Sequence, residues 1–189
     1  INATDELANK MLMAEENIIN YQQTFLKEHK NTVVATIFNK NILKLPKFEG
    51  TISEKLKSRN QFFDTQFLSQ YDVSDEDFWK TPITIDLFDY YTFKSYDDNP
   101  ASALSRTKNM LSTLRQYDKG FQYYFNYMCN SFSKMSKHDF DQTFVYLYDE
   151  YIKTGKANWL STEEILKYKK DAENIERLMV GKTAPDVLL

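Results

Sequence analysis

Residues whose type and spacing could support chemistry are few in this chain, and each has a plainer structural use. Gly181-Lys182-Thr183 has the form of the end of a phosphate-binding loop, in which backbone amides cradle phosphate and the lysine meets its charge. That motif also needs a glycine five residues earlier, and Glu176 stands there. Asp72, Asp75, Glu76 and Asp77 form the densest acidic group, a possible set of oxygen ligands for a hard cation. The group lacks the central glycine and final glutamate of a calcium loop, and it precedes Phe78 and Trp79 as helix-start acids do. Asp86 and Asp89, one helical turn apart, are the pair a helical enzyme would use for acid–base work.

Cys129, the only cysteine, lies between Met128 and a segment leading to Phe132, with no cation within four positions to lower its pKa. It reads as a small buried hydrophobe. A lone cysteine makes no intrachain disulfide and no Cys-x-x-Cys pair. The two histidines, His29 and His138, exclude a three-histidine metal site; His138 beside Asp139 reads as a helix start, since adjacent helical residues do not face each other. No catalytic, metal or cofactor residue is assigned, and no enzyme activity is expected of this chain.

The most distinctive chemistry is aromatic: 14 Phe, 13 Tyr and 2 Trp in 189 residues, concentrated in Tyr90-Tyr91-Thr92-Phe93 and in Phe121 to Tyr127. These runs exceed the needs of a single core stripe. Tyr90, Tyr91, Tyr123 and Tyr124 are therefore candidate ligand-binding residues, a groove for peptide or glycan, with burial between helices as the competing use.

The elements that must position these residues read as helices. Only 4 Gly and 4 Pro punctuate the chain, which disfavours turn-dense β architectures. A 42% hydrophobic fraction is enough to bury a core. Leu7, Met11, Ala14, Ile18, Tyr21 and Phe25 line one face of a long first helix, with Thr4 as its N-cap and Lys27, His29 and Lys30 suited to its end. Asn31 offers a cap for a short helix carrying Val34, Ile37 and Phe38. Thr51 and Glu54 form a capping box for a helix to about Gln70, and Ser161 with Glu164 forms another ahead of Ile165, Tyr168, Ala172, Ile175 and Met179. Ser74 and Asp77 cap a short turn at Phe78-Trp79. Thr81-Pro82 and Asn99-Pro100 mark two further starts, leading to helices ending near Lys94 and Gly120. Phe121, Phe125, Met128, Phe132 and Met135 follow, then Phe140, Phe144, Leu147 and Tyr151 from a start at Ser136 and Asp139 to Gly155. The expected fold is all-α, an irregular layered array of seven or eight helices packed as antiparallel α-hairpins, without an internal domain boundary.

A net charge of −3 without a basic block makes nucleic acid a poor partner. No run approaches the ~20 apolar residues of a membrane span. The start at Ile1 suggests a processed chain whose targeting segment has been removed.

Val180-Gly181-Lys182-Thr183-Ala184-Pro185-Asp186-Val187 resembles the opening of thioredoxin-like modules of the peroxiredoxin and thiol-disulfide oxidoreductase type. Phe62-Phe63-Asp64, Thr81-Pro82, and the stretch from Phe144-Val145-Tyr146-Leu147 to Gly155-Lys156-Ala157-Asn158-Trp159 resemble an uncharacterised helical domain that precedes such modules in Gram-negative cell-envelope proteins. The resemblance covers residues 31–189. It implies a connector helix over 1–30 packed on the main domain, a helical accessory domain over 31–180, and at 181–189 the truncated start of the redox module. It further implies a periplasmic or envelope setting, a secreted or lipid-anchored parent, and a C-terminal thioredoxin-like module or client protein as partner. The redox cysteines of such a module would lie beyond Leu189.

Overall fold

The computed structural model describes residues 3–93, 100–134 and 140–179. Among these residues all regular structure is helical, as the periodicities require. The chain divides into two compact units, Ile1–Asp98 and Asn99–Leu189. The expected bounds are 1–30 and 31–180, without an internal boundary. A boundary needs no Gly- or Ser-rich linker when each half closes its own core, and here Phe63, Phe67, Phe78 and Phe88 are buried in the first half while Met110, Leu114, Phe125 and Phe144 are buried in the second.

Unit one contains α1 (Ala3–Glu28), α2 (Val33–Asn41), α3 (Ile52–Thr65) and α4 (Pro82–Thr92). α1 packs on α2 and α3, so it is a wall of this unit. It does so through Ala8 and Glu15, with Leu12, Ile19, Gln22 and Leu26 half-buried alongside. The stripe expected from Leu7 to Phe25 lies one residue round the helix: Leu7, Ala14, Ile18 and Tyr21 are exposed, whereas Met11 and Phe25 are half-buried and Phe25 packs edge-on against Phe38 at 5.2 Å. α1 already includes Ala3, so Thr4 is not its N-cap. α2 is capped by Thr32, whose hydroxyl accepts from the Ala35 N–H at 3.1 Å. Thr32 takes this role in place of Asn31 because it holds the extended backbone (φ −104°, ψ 151°) a cap requires.

Gly50, at φ +102°, turns the chain into the expected capping box: Thr51 N–H donates to Glu54 at 2.8 Å, and Glu54 N–H donates to the Thr51 hydroxyl at 3.4 Å. α3 stops at Thr65, short of Gln70, because Gln66 and Phe67 N–H groups both close on the Phe62 carbonyl. A 3-10 turn at Phe78–Lys80 leads into α4. Thr81 occupies the N-cap backbone position, but its hydroxyl accepts from Asn41 Nδ2 at 2.8 Å instead of capping. The same buried amide reaches Thr84 and the Phe78 carbonyl, which ties the end of α2 to the start of α4.

At the centre of unit one lies Arg59, with no exposed surface. Its Nη2 meets Glu15 at 2.6 Å and the Tyr90 hydroxyl at 3.0 Å, its Nε donates to Glu15, and the Tyr90 hydroxyl donates to the same carboxylate. The guanidinium also stacks over Phe63, 4.6 Å from the ring centroid. Burial works against this charge, but the bond to Glu15 and the Tyr90 contact outweigh it, and the Arg59 pKa is held above its ordinary value.

Unit two contains α5 (Pro100–Leu114), α6 (Asp118–Lys134), α7 (Asp141–Leu147) and α8 (Thr162–Leu178). α7 touches α5, α6 and α8 and is the inner helix, with Thr143, Phe144 and Leu147 wholly buried. Its chain continues through a wider π-helical turn at Tyr148–Ile152 to Gly155, whose φ of +73° suits the expected position after a helix end. Gly120, expected to stop α5, lies instead inside α6, and it is not among the positive-φ glycines that a helix stop needs. α5 ends at Leu114, where the Tyr117 N–H closes on the Leu114 carbonyl at 2.8 Å. α8 opens on the expected Ser161–Glu164 capping box. Lys94, Asn99, Met135, Ser136, His138, Asp139 and residues 180–189 lie outside the described residues.

Removing one partner of a buried ion pair strands the other charge, at a cost of about 3–5 kcal/mol, whereas an apolar pair of similar volume is near neutral. Arg59→Met is expected to destabilise unit one by that amount, and Arg59→Met with Glu15→Leu to recover most of it. Urea unfolding followed through Trp79 in a Trp159→Phe background isolates this unit. The cap carboxylates add a pH effect. The Thr51 N–H holds Glu54 below its usual range, and the Ser161 hydroxyl does the same for Glu164. Their stabilisation is present above the unfolded carboxylate pKa of about 4.3 and is lost as pH falls through the lowered folded values. The acid limb of a Tm-against-pH curve should therefore flatten in the Glu54→Gln, Glu164→Gln double variant.

Candidate functional site

The four candidate tyrosines divide between the two units. Tyr90 and Tyr91 belong to unit one, and Tyr123 and Tyr124 to unit two. Tyr91 is 0% exposed and stacks on Phe67 at 5.2 Å and 9°; Tyr124 is likewise 0% exposed. Successive residues on a helix point about 100° apart, so each Tyr-Tyr pair sends one ring into its own core. Tyr90 is half-buried with its hydroxyl committed to Glu15 and Arg59, and burial with the neighbouring carboxylate keeps that phenol protonated. Tyr123 is half-buried, and burial raises its pKa. The expectation that Tyr91 and Tyr124 line an exposed binding surface is corrected.

The other candidates also find structural uses. Asp72 and Asp75 accept from the Ser74 and Asp77 N–H groups, and Lys40 meets Asp75 at 2.6 Å while Lys80 meets Asp77 at 3.0 Å. The acidic group is a turn held by its own amides and two lysines. Among the described residues no three His, Cys, Asp or Glu side chains gather as metal ligands would. Asp86 is exposed and Asp89 half-buried on α4, and neither lines the clefts described below. Cys129 is fully buried, and desolvation pushes its thiol far above the ordinary value. His29 packs against Phe25 at the end of α1, 4.6 Å between centroids. No helix among the described residues is long and apolar enough to cross a membrane.

What the structure does assemble is a cleft of about 430 Å³ in unit two. One wall is a polar stripe, Lys108 and Ser112 of α5 with Arg115 just past its end, all exposed and spaced 4 and 3 residues apart. The other is aromatic. Phe121 of α6 lies 5.6 Å from Tyr151 and 5.8 Å from Trp159, and Tyr146 of α7 meets Tyr151 edge-on at 6.1 Å. Trp159 is pinned by an Nε1–H bond to Asn126 at 3.0 Å. Cations lie over these rings: Lys108 Nζ is 4.5 Å from the Tyr146 centroid, and Lys156 Nζ is 5.7 Å from that of Tyr151 and 3.6 Å from Glu150. Burial and the Tyr151 hydrogen bond keep the Tyr146 phenol protonated.

Lys108, Arg115 and Lys156 outnumber Asp118, the one carboxylate in the lining, so the cleft is positive and ring-faced inside a chain of net negative charge. It offers cationic hydrogen-bond donors beside flat apolar surfaces, the chemistry that takes carboxylates flanked by rings or alkyl chains. The Lys108–Ser112–Arg115 spacing was visible in the sequence. Its apposition to Tyr146 and Trp159 was not, because these come from other elements.

In unit one a trough of about 300 Å³ runs between α1 and the segment around Leu45 to Phe48. The Glu15 carboxylate at its floor is already committed to Arg59 and Tyr90.

No protein-family model matches this chain, and neither a curated protein nor a solved structure does.

The Cys129 thiol should be silent to an aromatic disulfide reagent in the native chain and react stoichiometrically once urea unfolds unit two. A fast native reaction would place the thiol at the surface.

Proposed function

We propose that this chain is a non-catalytic all-α accessory domain that recruits a client protein, through an acidic segment, for a thioredoxin-like thiol-disulfide oxidoreductase of the cell envelope. The observation that carries the recruiting role is the cleft of unit two, with Lys108 and Lys156 over aromatic rings and Arg115 at its edge. The link to a redox module rests on the resemblance of Gly181 to Asp186 to the opening of such modules. The protonated, buried Cys129 supports assigning the redox step to another part of the parent protein. A groove for neutral glycan, using Trp159 and Phe121 as stacking surfaces, is the second reading that the same rings favour.

A fluorescent peptide of alternating Glu and Tyr residues tests the charge requirement. Arg115→Glu and Lys156→Glu are each expected to weaken its binding roughly tenfold, about 1.4 kcal/mol. Affinity should also fall with added salt. Binding of a neutral oligosaccharide, unaffected by either variant, would favour the glycan reading. In the parent protein the same variants should slow reduction of a protein disulfide and leave a small-molecule disulfide unaffected.

A further inference from the structure

The segment that joins α2 to α3 leaves one main-chain edge unpaired. Residues 43–49 form no helix, turn or bend, and Pro46 pushes Leu45 before it toward extended backbone. Lys44 is held on one side: its N–H donates to the Tyr71 hydroxyl at 3.2 Å, and its carbonyl accepts from Gln70 Nε2 at 3.0 Å. An extended chain turns the N–H and C=O groups of alternate residues to opposite edges, so Leu45 and Lys47 present theirs on the edge away from Tyr71 and Gln70. Among the described residues nothing hydrogen-bonds to the main-chain groups of Leu45, Pro46, Lys47 or Phe48. Pro46 falls in the phase of Lys44, so its missing N–H takes no donor from the unpaired edge. Leu45 and Lys47 both line the trough against α1, and Tyr71 and Gln70 do not.

We propose that this trough binds an uncharged, extended segment of a partner polypeptide, which adds as a strand to the Leu45–Lys47 edge through up to four main-chain hydrogen bonds. The facing wall suits the same occupant. Asn9, Glu16, Asn20 and Gln23 of α1 lie within an arc of about 60° and run about 21 Å along the helix, the length of about six residues of extended chain. The Asn20 and Gln23 carboxamides, which no described residue hydrogen-bonds, carry the donor and acceptor that a peptide group needs. Nearer the core Leu12, Ile19 and Phe48, each half-buried, supply an apolar floor for alternate side chains of the added strand. Charge sets the partner's composition. Glu15 is bonded to Arg59 and Lys47 lies 3.5 Å from Glu49, so Glu16 and Lys55 remain in the lining and balance. A helix or a small apolar ligand would leave the Leu45 and Lys47 main chain unanswered. This site stands apart from the cleft of unit two and does not depend on its reading.

A fluorescent, end-capped peptide of alternating Val and Thr, about six residues long, is the probe, read by anisotropy against the 189-residue chain. Lys47→Pro deletes an edge N–H that has no partner in the free chain, and it should weaken binding about tenfold or more while keeping the thermal midpoint. Lys47→Ala keeps that N–H and should bind as the parent chain does. On the unaltered chain, N-methylation of alternate peptide residues should abolish binding in one phase and spare it in the other, as strand pairing requires. In the complex the Leu45 and Lys47 amides should exchange hydrogen more slowly, while Phe48, in the other phase, keeps its rate. No binding at millimolar peptide overturns the proposal, as does binding indifferent to Lys47→Pro or equally tolerant of N-methylation in both phases. A dimer of the chain that Lys47→Pro dissolves would give the edge to a second copy and overturn the partner segment as its occupant.

Discussion

A guanidinium without exposed surface is tolerable only where its partners are fixed in advance, and Arg59 sets that condition for unit one. Three helices must arrive together: α1 with Glu15, α3 with Arg59 and Phe63, and α4 with Tyr90. The rotation of α1 follows. Turning the helix by one residue would bring the more apolar line, Leu7 to Phe25, against the core, and hydrophobic burial alone favours that choice. It would also withdraw Glu15 and strand a buried cation, a penalty of about 3–5 kcal/mol. The helix therefore buries a line containing Glu15 and Gln22 and leaves Leu7, Ala14, Ile18 and Tyr21 outside. The outward face of α1 is thus a consequence of one ion pair inside.

Unit two is organised around its inner helix. α7 is only seven residues long and cannot be stable alone. Its Thr143, Phe144 and Leu147 are buried because α5, α6 and α8 all close on it. The stretch after α7 then has to supply what the inner helix cannot. Tyr151 and Trp159 pack their rings against Phe121 and Phe125 from outside α6, with centroids 5.4 to 5.8 Å apart. The packing that seals the core therefore also builds the aromatic wall of the cleft.

Local signals were the legible part of the sequence. Capping boxes at Thr51 and Ser161, the Pro82 start and the Gly155 stop each depend on residues within five positions, and each holds as read. What the sequence left open is non-local. Periodicity gave α1 an apolar face but not its neighbour, because two adjoining lines have nearly the same spacing and only Arg59, 44 positions from Glu15, decides between them. The same gap explains the tyrosines: adjacency in sequence made Tyr90-Tyr91 and Tyr123-Tyr124 look like pairs, and helix geometry sends their rings apart. Gly120 misled for a further reason, since a glycine stops a helix only when it adopts positive φ and its composition does not reveal whether it does. The two-unit division has no compositional mark, since no Ser-, Gly- or Pro-rich stretch separates Ile1–Asp98 from Asn99–Leu189.

Among the described residues the aromatic excess includes three separate uses, and one of them leaves rings lining an open cleft. Tyr91 and Tyr124 fill cores, Tyr90 satisfies a buried ion pair, and Tyr146, Tyr151 and Trp159 line the open cleft. In that last group the lysines matter most for how binding would proceed. A cation resting on a ring at an exposed site gains about 0.5–1 kcal/mol, little enough for Lys108 or Lys156 to swing toward a carboxylate while the rings stay fixed. A cleft of this kind needs little reorganisation on either side. If it captures a client as proposed, its attraction would reach about one Debye length, ~8 Å at physiological salt, which would aid encounter, and its exposed charge pairs would hold weakly, which would favour release. Fast capture and fast release are what a module needs if it hands its client to a reaction performed elsewhere, and they would serve poorly for storage or tight inhibition.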